Sequence, residues 1–385
     1  MTAPVLLVAT ATLSPGAARM PRELARAGFE VSLLAPQGSL AEKSRHLAQI
    51  GHVPDDAGAA QWVQAFAAMV DAARPRIVLP TDDMAFRLLQ MLVRTPPPRM
   101  QPELQLRLAA LVRESLGDPP HYAASTDKTL LPTAAAALGM RVPPFALCAG
   151  AAEIAAFAAA NAWPVVVKRP HGFAGQGVAI CADRNDVARA LAIFAAADAR
   201  DVADPAAGPG RYLAQAHLPG RTQYFQAVAW KGRLLAGWAG EKVIADPEPT
   251  GPPTVTRYFR SPQLRAMTEQ LVSGFGISGH FVAEFRLDER TQETHLIEIN
   301  RRISPAAHLG AQRNVDLCAA LYAAVEGTAS TTRADLSEGE EGFTVYFPGE
   351  WLRDPHSRYL RDCPVDVPWD EPDLIEAMLA LRHER

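Results

Sequence analysis

Two glutamates carry the first chemical signal in this chain. Glu284 and Glu298 lie in HFVAEFRLDERTQETHLIEINRR, residues 280–302. Successive side chains of a strand point to opposite faces, so Phe281, Ala283, Phe285 and Leu287 share one face and Val282, Glu284 and Arg286 the other. Beyond the polar turn at 288–293, His295, Ile297 and Ile299 are expected to point one way, and Leu296, Glu298 and Asn300 the other. A hairpin centred near residues 290–291 brings Glu284 opposite or next to Glu298. Like charges facing each other destabilise a sheet unless something neutralises them. Mg2+ does so with oxygen ligands, commonly one or two carboxylates plus substrate phosphates, and the Asn300 amide oxygen offers a neutral ligand. The other reading of these residues is a solvated sheet face whose charges meet no metal.

Two lysines sit where phosphate chemistry is possible. In WPVVVKRPHGFAGQGVAICA, residues 163–182, a β-branched run leads to Lys168, then a glycine-rich turn, then a second strand. This is not a P-loop, which ends in GK[ST] and opens a helix. Backbone N–H groups of a glycine turn still cradle phosphate oxygens, and a nearby lysine adds point charge. A hairpin turn beside an exposed lysine is the plainer alternative. In STDK, residues 125–128, Ser125, Thr126 or Asp127 is expected to cap a helix whose first turn presents Lys128. A cation there opposes the helix dipole unless an anion lies between them. An ordinary surface lysine is again the alternative.

These residues need elements to position them. The chain has 385 residues, room for two or three structural units, and at 48% hydrophobic and 21% charged it reads as an ordinary globular protein. A net charge of −4 argues against a nucleic-acid binder that works through a basic surface. Cys148, Cys181, Cys318 and Cys363 form no CxxC pair and read as thiols of a reducing compartment. The start lacks the basic region of a secretory signal, and no stretch reaches the ~20 apolar residues of a membrane helix, so a cytoplasmic protein is expected. Strand and helix alternate from the start: a strand at 4–10, a helix at 17–28 closed by Gly28, a strand at 29–35, a helix near 58–73, and a strand at 76–80. Thr81, Asp82 and Asp83 then cap a helix or wall a substrate site. Proline clusters at 95–98 and 117–120 end this α/β layer near residue 122. The turn after the first strand is TATLSPGA, not GxGxxG, which argues against a dinucleotide cofactor. His171, His280, His295 and His308 are scattered and are expected to have no role in the chemistry, with His171 in the glycine turn the first exception to consider.

Taken together, STDK at 125–128, LGMRVPPF at 138–145, VVVKRPHGFAGQGV at 165–178, YLAQAHLPG at 212–220, and VAEFRLD with HLIEINRR within 282–302 resemble the ATP-grasp superfamily. The resemblance implies a Rossmann-like pre-ATP-grasp domain at 1–122 and an ATP-grasp domain of two α+β subdomains at 123–330. The lid subdomain is expected at about 147–215 and a small appended segment at 331–385. It implies ATP and Mg2+, with Mn2+ as the alternative ion. Lys128 and Lys168 are expected on the nucleotide phosphates, under a mobile loop containing Gly172, Gly175 and Gly177. Gln215, His217 and Leu218 match the linker that holds adenine, and Gln223 is the candidate for ribose because no acid follows that linker. Glu284, Glu298 and Asn300 match the metal ligands. Arg302 matches an arginine that meets the acyl phosphate or the acceptor, although Arg301 replaces the usual proline before it. Arg286 is a second charge-neutralising candidate. Arg257, Lys242 and Asp82 are candidates for substrate, with Arg257 first and Arg313 a further nearby cation. The implied reaction is activation of a small carboxylate as an acyl phosphate and its transfer to an amine, releasing ADP and phosphate. Carboxyphosphate chemistry of the biotin-carboxylase kind and a catalytically silent ATP-binding protein are the alternatives. Similar proteins are often homodimers.

Overall fold

A computed structural model describes residues 3–54, 57–97, 100–172, 175, 177–198 and 212–381. The segment ADPAAGPG at 203–210, whose composition predicts a loop, lies outside the described residues, as do Phe173, Ala174 and Gln176 of the glycine turn.

Three sheets organise the described residues. The first is parallel, with β1 (Ala3–Val8), β2 (Phe29–Pro36), β3 (Leu47–Val53) and β4 (Ile77–Pro80) in the order β3-β2-β1-β4. Its central strand is apolar on both faces because both are covered. Val5 and Leu7 pack with Met20, Leu24 and Leu321, whereas Leu6 and Val8 pack with Trp62, Phe66 and Phe86. The helix Met20–Ala27 ends at Gly28, whose φ of 112° is the left-handed cap that glycine adopts without strain. Expected strands and helices recur here within a few residues, and β3 is an addition. Arg19 separates the first expected helix into two, Pro15–Ala18 and Met20–Ala27.

The second sheet is small and antiparallel: β5 (Phe145–Cys148), β6 (Val165–Lys168), β7 (Val178–Cys181) and β8 (Tyr212–Ala216), in the order β5-β8-β6-β7. Helices Ala151–Asn161 and Arg184–Asp198 cover one side through Ile154, Ala158, Val187 and Phe194.

The third sheet is large and antiparallel. It comprises β9 (Gly220–Trp230), β10 (Arg233–Ala245), β11 (Pro253–Phe259), β12 (Gly279–Asp288), β13 (Thr294–Asn300) and β14 (Glu341–Val345), ordered β13-β12-β9-β10-β11-β14. Phe225, Phe281 and Phe285 on one face pack against Leu271, Val272 and Phe275 of the helix Pro262–Phe275. Burial of each phenylalanine contributes about 1.5–3 kcal/mol. The opposite face is left to line a cleft.

Three expectations need correction. The alternation along β13 is interrupted by a bulge: Glu284 pairs with Glu298, but Phe285 pairs with Leu296, which leaves Ile297 as the extra residue. Leu296 therefore joins Ile299 and Phe285 in the apolar cluster, while Ile297 turns to the cleft beside Glu298. Second, Lys128 is not in the first turn of a helix. The helix begins at Leu131, and Asp127 accepts from Thr129 N (2.7 Å) in a local turn, so the dipole argument falls away. Third, the last segment is not a mere appendage. Its β14 completes the large sheet beside β11, and Leu336, Tyr346, Leu374 and Met378 join the core under the first sheet. No helix among the described residues is long and apolar enough to cross a membrane.

Candidate active site

The open faces of the small and large sheets, with the C-terminal ends of β1 and β4, enclose a cleft of about 930 Å³. The hairpin supplies its charged wall. Cross-strand pairing sets Glu284 opposite Glu298, and lysines from three separate segments neutralise them. Lys128 Nζ lies 3.0 Å from Glu298 Oε1 and donates to Gly172 O at 2.8 Å. Lys242 Nζ, from β10, lies 2.9 Å from Glu284 Oε2. Lys168 Nζ, at the end of β6, donates to Ile297 O at 3.1 Å, using the carbonyl beside the bulge. Asn300 Nδ2 donates to Glu284 Oε1 at 3.3 Å, and Arg302 Nη2 reaches Asn300 Oδ1 at 3.5 Å. Arg302 Nε meets Asp83 Oδ2 at 3.1 Å.

The protonation states follow from burial and charge. Burial raises Glu298, but the ammonium groups of Lys128 and Lys168 outweigh it and hold the carboxyl below its ordinary value. Burial lowers Lys128 and Lys242, yet Glu298 and Glu284 hold them above the ordinary lysine value. Lys168 is the exception: burial dominates, Lys128 adds repulsion, and it falls to about 8. It is the ammonium with most to gain from an anionic partner.

Glu284, Glu298 and the Asn300 amide form an all-oxygen donor set, which suits a hard divalent cation such as Mg2+. No cluster of three or more His, Cys, Asp or Glu occurs among the described residues, so the amide is needed to complete such a set. The lysines now on these carboxylates sit beside the open cleft.

At the other end, Gln215, His217 and Leu218 line the cleft as expected. Ala216 N bonds back to Pro144 O at 2.9 Å, which fixes this linker against the start of the small sheet. Gln215 is 2% exposed and its Nε2 has no partner among the described residues. Arg286 Nε donates to Leu218 O at 2.9 Å and its Nη1 to Thr222 Oγ1 at 3.1 Å, so Arg286 braces the linker at a distance from the carboxylate pair. Gly172, Gly175 and Gly177 line the cleft roof. Gly175 has a φ of 80° and abuts Thr250, where a Cβ would lie 2.7 Å from the carbonyl oxygen, so only glycine fits.

Three expected residues, Gln223, Arg257 and Arg313, lie elsewhere. Gln223 shares its face of β9 with buried Phe225, while Thr222, Tyr224 and Gln226 point into the cleft; the two-residue period of the strand excludes it. Arg257 is excluded by the same alternation. It pairs with Glu341 at 3.0 Å and stacks on Phe259, outside the cleft lining. Arg313 is buried over Trp238 and Tyr258 and is structural. Asp82 does line the cleft, but its oxygens accept from Thr10, Ala11 and the N-cap donor Ala85 N. Gln226, Ser304 and Tyr346 also line the cleft and escaped the sequence reading. Alternation from Tyr224 could have found Gln226, whereas nothing local marks Tyr346.

No protein-family model matches the chain, and no curated protein matches it. Solved structures do. The biotin carboxylase domain dimer of Hydrogenobacter thermophilus 2-oxoglutarate carboxylase, in complex with MgADP, ADP and bicarbonate, superposes with a TM-score of 0.65 at 16% identity, covering 89% of this chain and 74% of that one. An ADP complex of N5-carboxyaminoimidazole ribonucleotide synthetase gives 0.67 at 13% identity, covering 94% and 85%. N5-carboxyaminoimidazole synthase from Aspergillus clavatus, with ADP and aminoimidazole ribonucleotide, gives 0.63 at 13%, covering 89% and 81%. Over most of its length this chain therefore has the fold of these nucleotide-bound proteins, with two antiparallel sheets on either side of a cleft.

Proposed function

We propose that this chain is a Mg2+-dependent ligase that uses ATP to activate a small carboxylate as an acyl phosphate and transfers the acyl group to an amine. One observation carries the reading: Glu284, Glu298 and Asn300 meet Lys128, Lys168 and Lys242 on one wall of a nucleotide-sized cleft. Such a wall suits a triphosphate, whose oxygens would take the lysines while the hairpin acids hold a metal. Mg2+ bound there would neutralise phosphate charge and orient the terminal phosphoryl group.

The linker at Gln215–Leu218 would hold the adenine through backbone groups, with Arg286 keeping Leu218 in place. A substrate carboxylate oxygen attacks the γ-phosphorus, and the bond to the β–γ bridging oxygen breaks to release ADP. An amine nitrogen then attacks the acyl carbon. Phosphate departs with the bonding electrons, and the amine proton passes to solvent. Arg302 supplies positive charge near the carboxylate, and the glycine turn and Thr250 roof exclude water from the acyl phosphate. The parallel first layer serves as the Rossmann-like domain at 1–122, the next unit as the ATP-grasp domain at 123–330 and 331–385 as the C-terminal segment. Cytoplasmic residence and a homodimer accord with this reading.

Bicarbonate as the carboxylate is a second reading, favoured by the similarity to a domain solved with bicarbonate. ADP release measured over pairs of acids and amines, and separately with bicarbonate and biotin, decides between them. Release with an acid–amine pair supports the first reading, and release only with bicarbonate supports the second. Tight nucleotide binding without turnover under every condition would reject both.

A further inference from the structure

The cleft reaches past Asn300 to a recess between the turn after β4 and residues 302–306, where no nucleotide element is expected. The recess holds an ion pair of opposite charges facing open space: Arg302 Nε on Asp83 Oδ2 at 3.1 Å, with the side chains 19% and 29% exposed. It also holds two buried polar atoms with no partner among the described residues. Thr81 is 3% exposed with Oγ1 unpaired, and Gln226 is fully buried with Nε2 unpaired, its carbonyl oxygen accepting from Ser304. Both residues line the cleft. Burying such atoms without partners is unfavourable, so they mark places for ligand groups.

The charges decide what kind of ligand fits. A carboxylate that draws Arg302 away leaves Asp83 beside a second anion, with only the Lys128 ammonium near it, and that ammonium is already paired with Glu298 at 3.0 Å. Asp82 cannot relieve this, since it is an acid whose oxygens already serve Thr10, Ala11 and Ala85. A ligand carrying its own ammonium group near its carboxylate restores both pairs at once. Resting on the ligase reading above, we infer that the carboxylate activated here belongs to an amino acid. Its carboxylate replaces Asp83 on Arg302, and its ammonium replaces Arg302 on Asp83. Thr81 Oγ1 takes a remaining ammonium hydrogen, and Gln226 Nε2 donates to the carboxylate.

The test is calorimetric titration of the full chain, loaded with Mg2+ and a non-hydrolysable ATP analogue. The titrants are the twenty common amino acids, with the matching des-amino acids and N-acetyl amino acids. At least one amino acid should bind, and its des-amino and N-acetyl counterparts should bind at least about tenfold more weakly. Asp83→Asn should weaken the amino acid at least about tenfold and leave the des-amino acid as tight or tighter, while Asp83→Glu restores part of the difference. Equal or tighter binding of the des-amino acid to the wild-type chain would overturn the inference, even if the variant failed to fold. So would the absence of any amino-acid binding, or an ammonium preference that survives Asp83→Asn. ADP release with an amine and acids lacking an ammonium group, and with no amino acid, would sink this inference and leave the ligase reading standing. Amino-acid binding with no ADP release from any acid–amine pair would sink the ligase reading and the activation step with it, leaving only an amino-acid-binding recess.

Discussion

Two clusters of buried charge in this molecule use short ion pairs to different ends. Beneath the C-terminal segment, Arg19 Nη1 lies 3.1 Å from Asp366 Oδ2, and His308 Nε2 lies 3.0 Å from the same oxygen. Arg19 also donates to Phe347 O at 2.7 Å and to the Asp366 carbonyl. The space beside these groups is about 20 Å³, room for roughly one water. At the hairpin, Lys128–Glu298 and Lys242–Glu284 are comparably short, but they face about 930 Å³. Pairs enclosed on all sides have no other partner to find and so fix one segment to another. Pairs beside open volume can exchange partners when a polyanion arrives. The free volume next to a buried ion pair, more than its length, separates anchoring from chemistry here.

Removing one member of each cluster tests this. Asp366→Asn leaves buried Arg19 with Glu371 as its remaining counter-charge and should destabilise the fold by about 3–5 kcal/mol, read from denaturant unfolding, with the Michaelis constants of any reaction unchanged. A variant as stable as wild type would erase the distinction. Glu298→Gln should do the opposite: ADP release falls by about 10²–10³-fold while the melting temperature stays within a few degrees. Wild-type turnover in that variant would remove Glu298 from the chemistry.

His280, on the strand that carries Glu284, isolates burial from pairing. Neither ring nitrogen has a partner among the described residues, and burial lowers its value to about 4. The unfolded chain takes up this proton near pH 6.5, and the native state does not until about pH 4. The contribution to stability is therefore intact above pH 6.5 and is lost as pH falls toward 4. Urea midpoints across that range should drop less steeply for His280→Gln than for wild type, and parallel curves would refute the assignment. Lys168→Met should weaken nucleotide binding by about tenfold in a fluorescence titration, with the fold retained. The smallest effect is expected where alternation excludes a residue from the cleft: Gln223→Ala should leave nucleotide affinity within about twofold, and a large loss would place it on the ribose after all.

What the sequence disclosed followed from short-range rules. The alternation in 281–287 and the polar turn were enough to set Glu284 against Glu298, because a hairpin's register follows from its own loop and apolar face. Lys168 and the glycine turn were legible for the same local reason. Arg257 was misread because its face depends on the register of β11 on β10, where two shifts between Lys242 and Ala245 break the simple alternation and set Arg257 opposite Glu241. Tyr346 was invisible since its place in the cleft rests on the last segment folding back on the first sheet. Asp83 and Arg302 were each noticed, but their partnership joins the first layer to the hairpin, and local patterns do not report contacts at that separation.

The bulge at Ile297 also separates two properties that a regular strand would tie together. Since Glu284 already opposes Glu298 and Phe285 already opposes Leu296, excising Ile297 would close the ladder without turning either acid away. It would, however, withdraw the carbonyl on which the Lys168 ammonium rests. A one-residue deletion thus becomes a way to retune a cation while sparing the oxygens across from it, a change no side-chain replacement at this strand can imitate.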